Sequence, residues 1–89
     1  MITKQSLIDR YIELDPDRPS PGEARLREEG VHVWALVGHY LIAVDQDLGA
    51  VARDYDLPEE AVAAALAYYQ KHKHEIDARL AQNKSPYDA

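Results

Sequence analysis

The side chains best suited to chemistry in this 89-residue sequence are four histidines, because imidazole binds metal ions and transfers protons near neutral pH. They are His32, His39, His72 and His74. On a helix, His72 and His74 would point to roughly opposite faces, so they cannot share an ion. His32 and His39 have no further ligand motif beside them. The spacing therefore predicts no metal site.

Nucleophilic and acid–base catalysis also lack a recognisable pattern. Three serines, Ser6, Ser20 and Ser85, fall in expected loops or termini, and none lies in a nucleophile-elbow motif. The carboxylates are scattered, and Glu59 and Glu60 are explained by the positive end of a helix dipole. We therefore predict that the chain is not an enzyme and that it needs no cofactor.

Three arginines are the candidates for contact with DNA phosphates or with an acidic partner. Arg25 and Arg27 alternate along an expected strand, as in ribbon-type DNA binders, and Arg53 lies on an expected helix. An ordinary solvated strand face is the simpler interpretation of the first two. The chain has 16 acidic and 10 basic residues, a formal net charge of −6, which disfavours nonspecific nucleic-acid binding.

Apolar spacing predicts three helices between residues 34 and 83. The first spans 34–44 and begins with Trp34, which we expect in the core. Asp47 is placed to cap a second helix at 48–55, and Pro58 to start a third, long helix. Small Ala52 suits the close crossing of a helix-turn-helix. The third helix carries an apolar stripe formed by Val62, Leu66, Tyr69, Ile76 and Leu80.

The remaining segments are expected to form an N-terminal arm and a tail. Residues 3–14 fit a helix and a strand equally well, so both interpretations stay open. Residues 15–22 contain three prolines and form a linker, and 23–33 predict a short strand or hairpin. The arm thus covers 1–33, and a flexible tail covers 84–89.

Cysteine is absent, and no apolar run is long enough to cross a bilayer. Disulfides and thiolate metal sites are thereby excluded. We expect a cytoplasmic protein with no membrane-spanning segment.

The end of the third helix predicts a partner surface. Ile76 and Leu80 extend the apolar stripe beyond the length that a three-helix core can cover. Tyr69 is expected to point inward and to leave Tyr68 near solvent, because adjacent helical residues lie about 100° apart. We therefore expect an interface of Tyr68, His72, Ile76 and Leu80. Its occupant could be the arm of the same chain, a second copy in a homodimer, or a different protein.

Four segments together resemble a known family. They are Gly30–Gly38, Val51–Pro58, Ala64–Tyr69 and Ile76–Leu80. They are similar to the VapB-type antitoxin-like family called domain of unknown function 433, and the likeness covers most of residues 12–80. It implies a homeodomain-like trihelical fold behind a short β-containing arm, and an antitoxin that binds a PIN-like ribonuclease. Many members carry Gly-Thr-Arg where this chain has Glu28-Glu29-Gly30.

The sequence as a whole predicts a mainly α fold: a homeodomain-like helix-turn-helix bundle with a β-containing arm and a long C-terminal helix. The predicted function is an antitoxin-like module of a type II toxin–antitoxin pair that sequesters a PIN-like ribonuclease. A DNA-binding regulator of its own operon is the alternative. The expected partners are a second copy, a toxin nuclease and operator DNA.

Overall fold

Helices make up most of the chain, and a small antiparallel sheet of two strands joins its N-terminal third. The computed structural model describes residues 3–88, with side chains for residues 3–82. The helices are α1 (Lys4–Tyr11), α2 (Val33–Gly38), α3 (Leu48–Tyr55), α4 (Glu59–Lys71) and α5 (Lys73–Asp88), and the strands are β1 (Ile12–Glu13) and β2 (Arg25–Leu26). Pro21–Glu23 form a 3-10 turn and His39–Ala43 a π-helical turn. The predicted mainly α fold is confirmed.

The segment that fitted both a helix and a strand contains one of each. The hydroxyl of Thr3 accepts a hydrogen bond from the Ser6 amide and caps α1, which ends where β1 begins. Strand β1 pairs with β2, with Ile12 opposite Leu26. The Leu26 amide also donates to the Val31 carbonyl at 2.9 Å, so the chain after β2 folds back as a short hairpin. The strand predicted within 23–33 is confirmed.

Helix α4 is the centre of the fold, and α1, α2 and α3 all pack against it. Its buried side chains are Ala61, Val62, Ala64, Ala65, Ala67 and Tyr68. The alanines let neighbouring helix axes approach closely from several directions. The Tyr11 hydroxyl donates to Glu60 at 2.9 Å, and the Lys4 ammonium donates to Gln70 at 2.6 Å. Helix α1 is therefore packed along α4, within the segment that the sequence assigned to an arm.

Helix α3 has the bounds that the sequence predicts. The Asp47 carboxylate accepts from the Ala50 amide at 3.1 Å, as expected of an N-cap. The helix ends at Tyr55. Its C-cap is Asp56, whose positive φ of 56° reverses the chain before α4. Ala52 is buried at the crossing with α4. The first predicted helix differs, because α2 stops at Gly38 and the chain continues as the π-helical turn.

The prediction of one long third helix is wrong. Helix α4 ends at Lys71, and His72 leaves the helical region with φ −128° and ψ 40° before α5 starts. This break redirects α5 so that it packs on α2 and on the 3-10 turn. Ile76 thereby enters the core with an exposed fraction of 0%. Helix α5 extends to Asp88 and so includes most of the expected tail at 84–89.

Candidate protein-binding groove

An open apolar groove of about 760 Å³ lies between α5 on one side and α2 with the π-helical turn on the other. Its apolar walls include Trp34, Ala35, Ile42, Ala43 and Leu80. The volume falls within the range of roughly 300–1,000 Å³ that is typical of ligand-binding pockets. The groove is therefore large enough to receive several side chains of a partner.

The π-helical turn gives the groove its exposed apolar wall. Ile42 is 69% exposed, more than the other exposed large hydrophobic residues described, Leu14 and Leu41. The adjacent Leu41 is also exposed, so the turn presents two neighbouring aliphatic side chains to solvent. Single π-helical turns are frequent at functional sites, and contiguous apolar surface marks interaction sites. The turn is therefore the best candidate contact region in the described part of the chain.

Trp34 lines the groove and is held in place by Arg79. The Arg79 guanidinium lies 4.4 Å above the indole ring, and its Nε donates to Glu23 at 2.6 Å. This stack and ion pair connect α2, α5 and the 3-10 turn. The expectation that Trp34 joins the core is met only in part, because its half-buried ring packs on the core while it also lines the groove.

Polar groups stand at the edge of the groove. His39 Nε2 and Asp54 Oδ2 are 2.8 Å apart. The Tyr55 and His39 rings are nearly perpendicular, with their centroids 5.3 Å apart. Among the residues that line the groove in the described part of the chain, none is a serine, threonine, cysteine or lysine. The pair of His39 with Asp54 connects the π-helical turn to α3.

Asp77 is the second carboxylate at the groove. It accepts hydrogen bonds from the Lys73 ammonium and from the Tyr69 hydroxyl, both at 2.7 Å. Together these donors lower the pKa of Asp77, the Lys73 bond most strongly. The ion pair of Lys73 with Asp77 lies within α5, whereas Arg79 of the same helix bonds Glu23 of the 3-10 turn.

The chain beside the groove is acidic. From residue 39 to 57 there are four aspartates and one arginine, a formal charge of −3 with histidine neutral. The aspartates are Asp45, Asp47, Asp54 and Asp56, and all four are exposed. The segment that forms one wall of the groove is therefore acidic, whereas on the α5 side Lys73 and Arg79 contact the groove residues Asp77 and Trp34.

The structure corrects the predicted partner surface. Tyr68 is only 6% exposed and Ile76 is fully buried, so the exposure expected of both is wrong. Tyr69, expected to point inward, is half-buried and bonds Asp77. His72 is partly exposed, with its ring 4.5 Å from that of Tyr68. Leu80 alone among the four predicted interface residues lines the groove.

The three candidate arginines do not form one basic surface. Arg25 donates to Glu13 at 2.9 Å, and the same carboxylate lies 3.9 Å from Arg27. These two cations therefore share one anion in the small sheet. Arg53 is exposed on α3, a separate element, and makes no ion pair with another residue in the described part of the chain.

Sequence reasoning missed Ile42 and the pair of His39 with Asp54. One signal was present for Ile42, because it falls outside the three- and four-residue spacing of the first predicted helix. An aliphatic residue on the polar side of an amphipathic helix is a candidate for a contact outside the core. The His39 contact has no local signal, since its partner lies on another helix.

The chain matches no family model, no curated protein and no solved structure. The resemblance to the VapB-type family therefore stays a prediction. Among residues 3–88, no helix is both long enough and apolar enough to span a membrane. Among the side chains of residues 3–82, no group of three or more histidine, cysteine, aspartate or glutamate residues is arranged to hold a metal ion.

Proposed function

We propose that this chain is an antitoxin-like protein-binding module that sequesters a PIN-like ribonuclease by docking it at the apolar groove. The observation that carries the proposal is the open groove with Ile42 exposed on its wall. Leaving such a surface in water is unfavourable, and apolar grooves between helices are a recurring mode of peptide and protein recognition. The function is therefore one of binding, without chemistry by the chain itself.

The charge of the chain supports a nuclease as the partner. An enzyme that cuts RNA must attract a polyanion, so its substrate-binding surface is expected to be basic. A protein of net charge −6 with an acidic groove edge complements such a surface and speeds the encounter. The resemblance to antitoxins of PIN-like toxins leads to the same class of partner.

The DNA-binding alternative has less support. In a homeodomain-like arrangement α4 would read the major groove, and the turn between α3 and α4 favours that arrangement. However, α1 packs along α4, whose first turn carries Glu59 and Glu60. Base edges and phosphates are normally met by Arg, Lys, Asn or Gln. We therefore keep operator binding as a second candidate only.

The expected homodimer stays a prediction with a weaker basis. It rested on Ile76 and Leu80 at the end of the apolar stripe, and Ile76 is now accounted for by the core of the same chain, whereas Leu80 is partly buried at the groove. The mass of the purified protein in solution tests it directly.

The proposal is tested with the product of the neighbouring gene, which we expect to be a PIN-like ribonuclease. We expect the wild-type chain to suppress cleavage of a fluorescent RNA, and Ile42→Asp to lose this suppression because a charge would enter the apolar contact. Leu14→Asp is the matched control, since Leu14 is also an exposed aliphatic residue, at 47%, and does not line the groove. Both variants should keep the circular dichroism of the wild type.

Two results would contradict the proposal. Unchanged nuclease activity in the presence of excess wild-type chain would show that the chain is not an antitoxin of this nuclease. Equal suppression by Ile42→Asp and Leu14→Asp would show that the groove is not the docking surface. For the regulator, specific binding to upstream DNA that is lost in an Arg25→Ala, Arg27→Ala and Arg53→Ala triple variant would instead favour the alternative.

A further inference from the structure

The groove has a composition that restricts what can enter it. Ile42, Ala43 and Leu80 offer aliphatic contact, whereas Asp54 and Asp77 place carboxylates at the edge. Both carboxylate side chains are partly exposed, at 52% and 43%. Each carboxylate has a partner within the chain, His39 or Lys73, and keeps enough exposed surface to attract an occupant that presents positive charge beside an apolar surface.

We infer that the occupant is a single amphipathic helix of the partner, with aliphatic side chains on one face and lysine or arginine along the borders of that face. This inference rests on the proposed function only in taking the groove as a docking surface. Apolar anchors at i, i+3 or i+4, and i+7 would lie between the π-helical turn and α5. The flanking cations would meet the aspartates at the edge.

The elements around the groove favour a helix over an added β-strand. An added strand needs a free sheet edge that offers backbone amides and carbonyls. The groove is bounded by α2, α3, α5 and the π-helical turn, and the small sheet of β1 and β2 contributes no lining residue to it. Recognition must then come from side chains that meet in a groove, which is how a helix binds.

Charge also argues against a second copy as the occupant. Residues 39–57 carry a formal charge of −3, so two such surfaces placed face to face would repel each other. Lys73 and Arg79, the two cations beside the groove, already bind Asp77 and Glu23 within the same chain. A cationic helix meets no such penalty, and its attraction should weaken as salt screens the charges.

The probe is a synthetic helical peptide of about four turns, with leucines at helical spacing and lysines beside them, and without tryptophan. Trp34 is the one tryptophan of the chain and lines the groove, so its fluorescence reports binding directly. A second peptide keeps the leucines and replaces every lysine with glutamate. We expect the lysine peptide to bind about tenfold or more tightly than the glutamate peptide at low salt, with the ratio falling at high salt.

Variants locate the contact. Ile42→Asp should weaken the lysine peptide about tenfold or more, and Asp54→Asn about two- to fivefold, as expected for one exposed charge. Leu14→Asp and Glu29→Gln are the matched controls away from the groove and should bind as the wild type does. In sedimentation of the chain alone, the wild type and Ile42→Asp should have the same mass, because the groove does not bind a second copy.

The outcomes separate this inference from the proposed function. Absent binding of the lysine peptide, equal binding of both peptides, or self-association that depends on Ile42 would overturn the cationic helix. If any of these results were obtained and Ile42→Asp still abolished nuclease suppression, the groove would remain the docking surface, but its occupant would not be a cationic helix. Conversely, binding of the lysine peptide with no suppression of the nuclease would remove the antitoxin function and keep the groove chemistry.

Discussion

Ile76→Ala tests whether this side chain belongs to the core or to an interface. The residue is fully buried on α5, and the substitution removes three carbons from a packed site. The lost transfer free energy and the cavity together cost about 3 kcal/mol, within a usual range of roughly 2–5 kcal/mol. For a domain of this length, whose total stability is on the order of 4–13 kcal/mol, that is a severe loss.

The assay is urea unfolding followed by Trp34 fluorescence, with thermal unfolding as a second measurement. At about 4–8 °C per kcal/mol, Ile76→Ala should lower the Tm by roughly 12–24 °C. Ile76→Val should cost about 1 kcal/mol. Leu80→Ala is the matched comparison and should cost less than Ile76→Ala, because Leu80 is only partly buried at the groove.

A different result would refute this reasoning. If Ile76→Ala cost less than about 1 kcal/mol and at the same time turned a dimer into a monomer, Ile76 would be part of an interface. On the structure, Ile76→Asp should instead unfold the chain, since it would bury a charge without a partner.

Two further predictions concern the helix cap and the carboxylate at the groove. Asp47→Ala should cost about 1 kcal/mol in urea unfolding and Asp47→Asn much less, because asparagine also caps helices. The pKa of Asp77 is lowered from 3.8, so its bonds add stability that is present above pH 3.8 and lost as the pH falls through the folded-state pKa. Asp77→Asn should therefore destabilise the chain at pH 7, and its difference from the wild type should shrink progressively below pH 3.8. A difference independent of pH would contradict this.

The features that sequence predicted well depend on local signals. Helix α3 was predicted with its observed bounds because Asp47, directly before the helix, accepts from the Ala50 amide and because Pro58 follows the end of the helix. The hairpin after β2 was predicted from alternation around Gly30, which has the positive φ of 73° that glycine accepts readily. In both cases the residues that determine the element lie within it or beside it.

The features that sequence missed depend on distant contacts. Lys73 interrupts the apolar stripe beside the break at His72, but the stripe was counted through it, which grouped Tyr69 with Ile76. Once α4 ends at Lys71 the two helices have separate phases, and the repeat within α4 selects Tyr68 for burial. The direction of α5 follows from its packing on α2, which no local pattern encodes.

The position of α1 along α4 has a consequence for how the chain folds. The Lys4 side chain meets Gln70 across a sequence separation of 66 residues, so their contact requires a long stretch of chain to be closed into a loop. Helices α2, α3 and α4 follow one another closely and can associate with far less loss of chain entropy. We therefore expect α1 to dock onto α4 only after α2, α3 and α4 have associated.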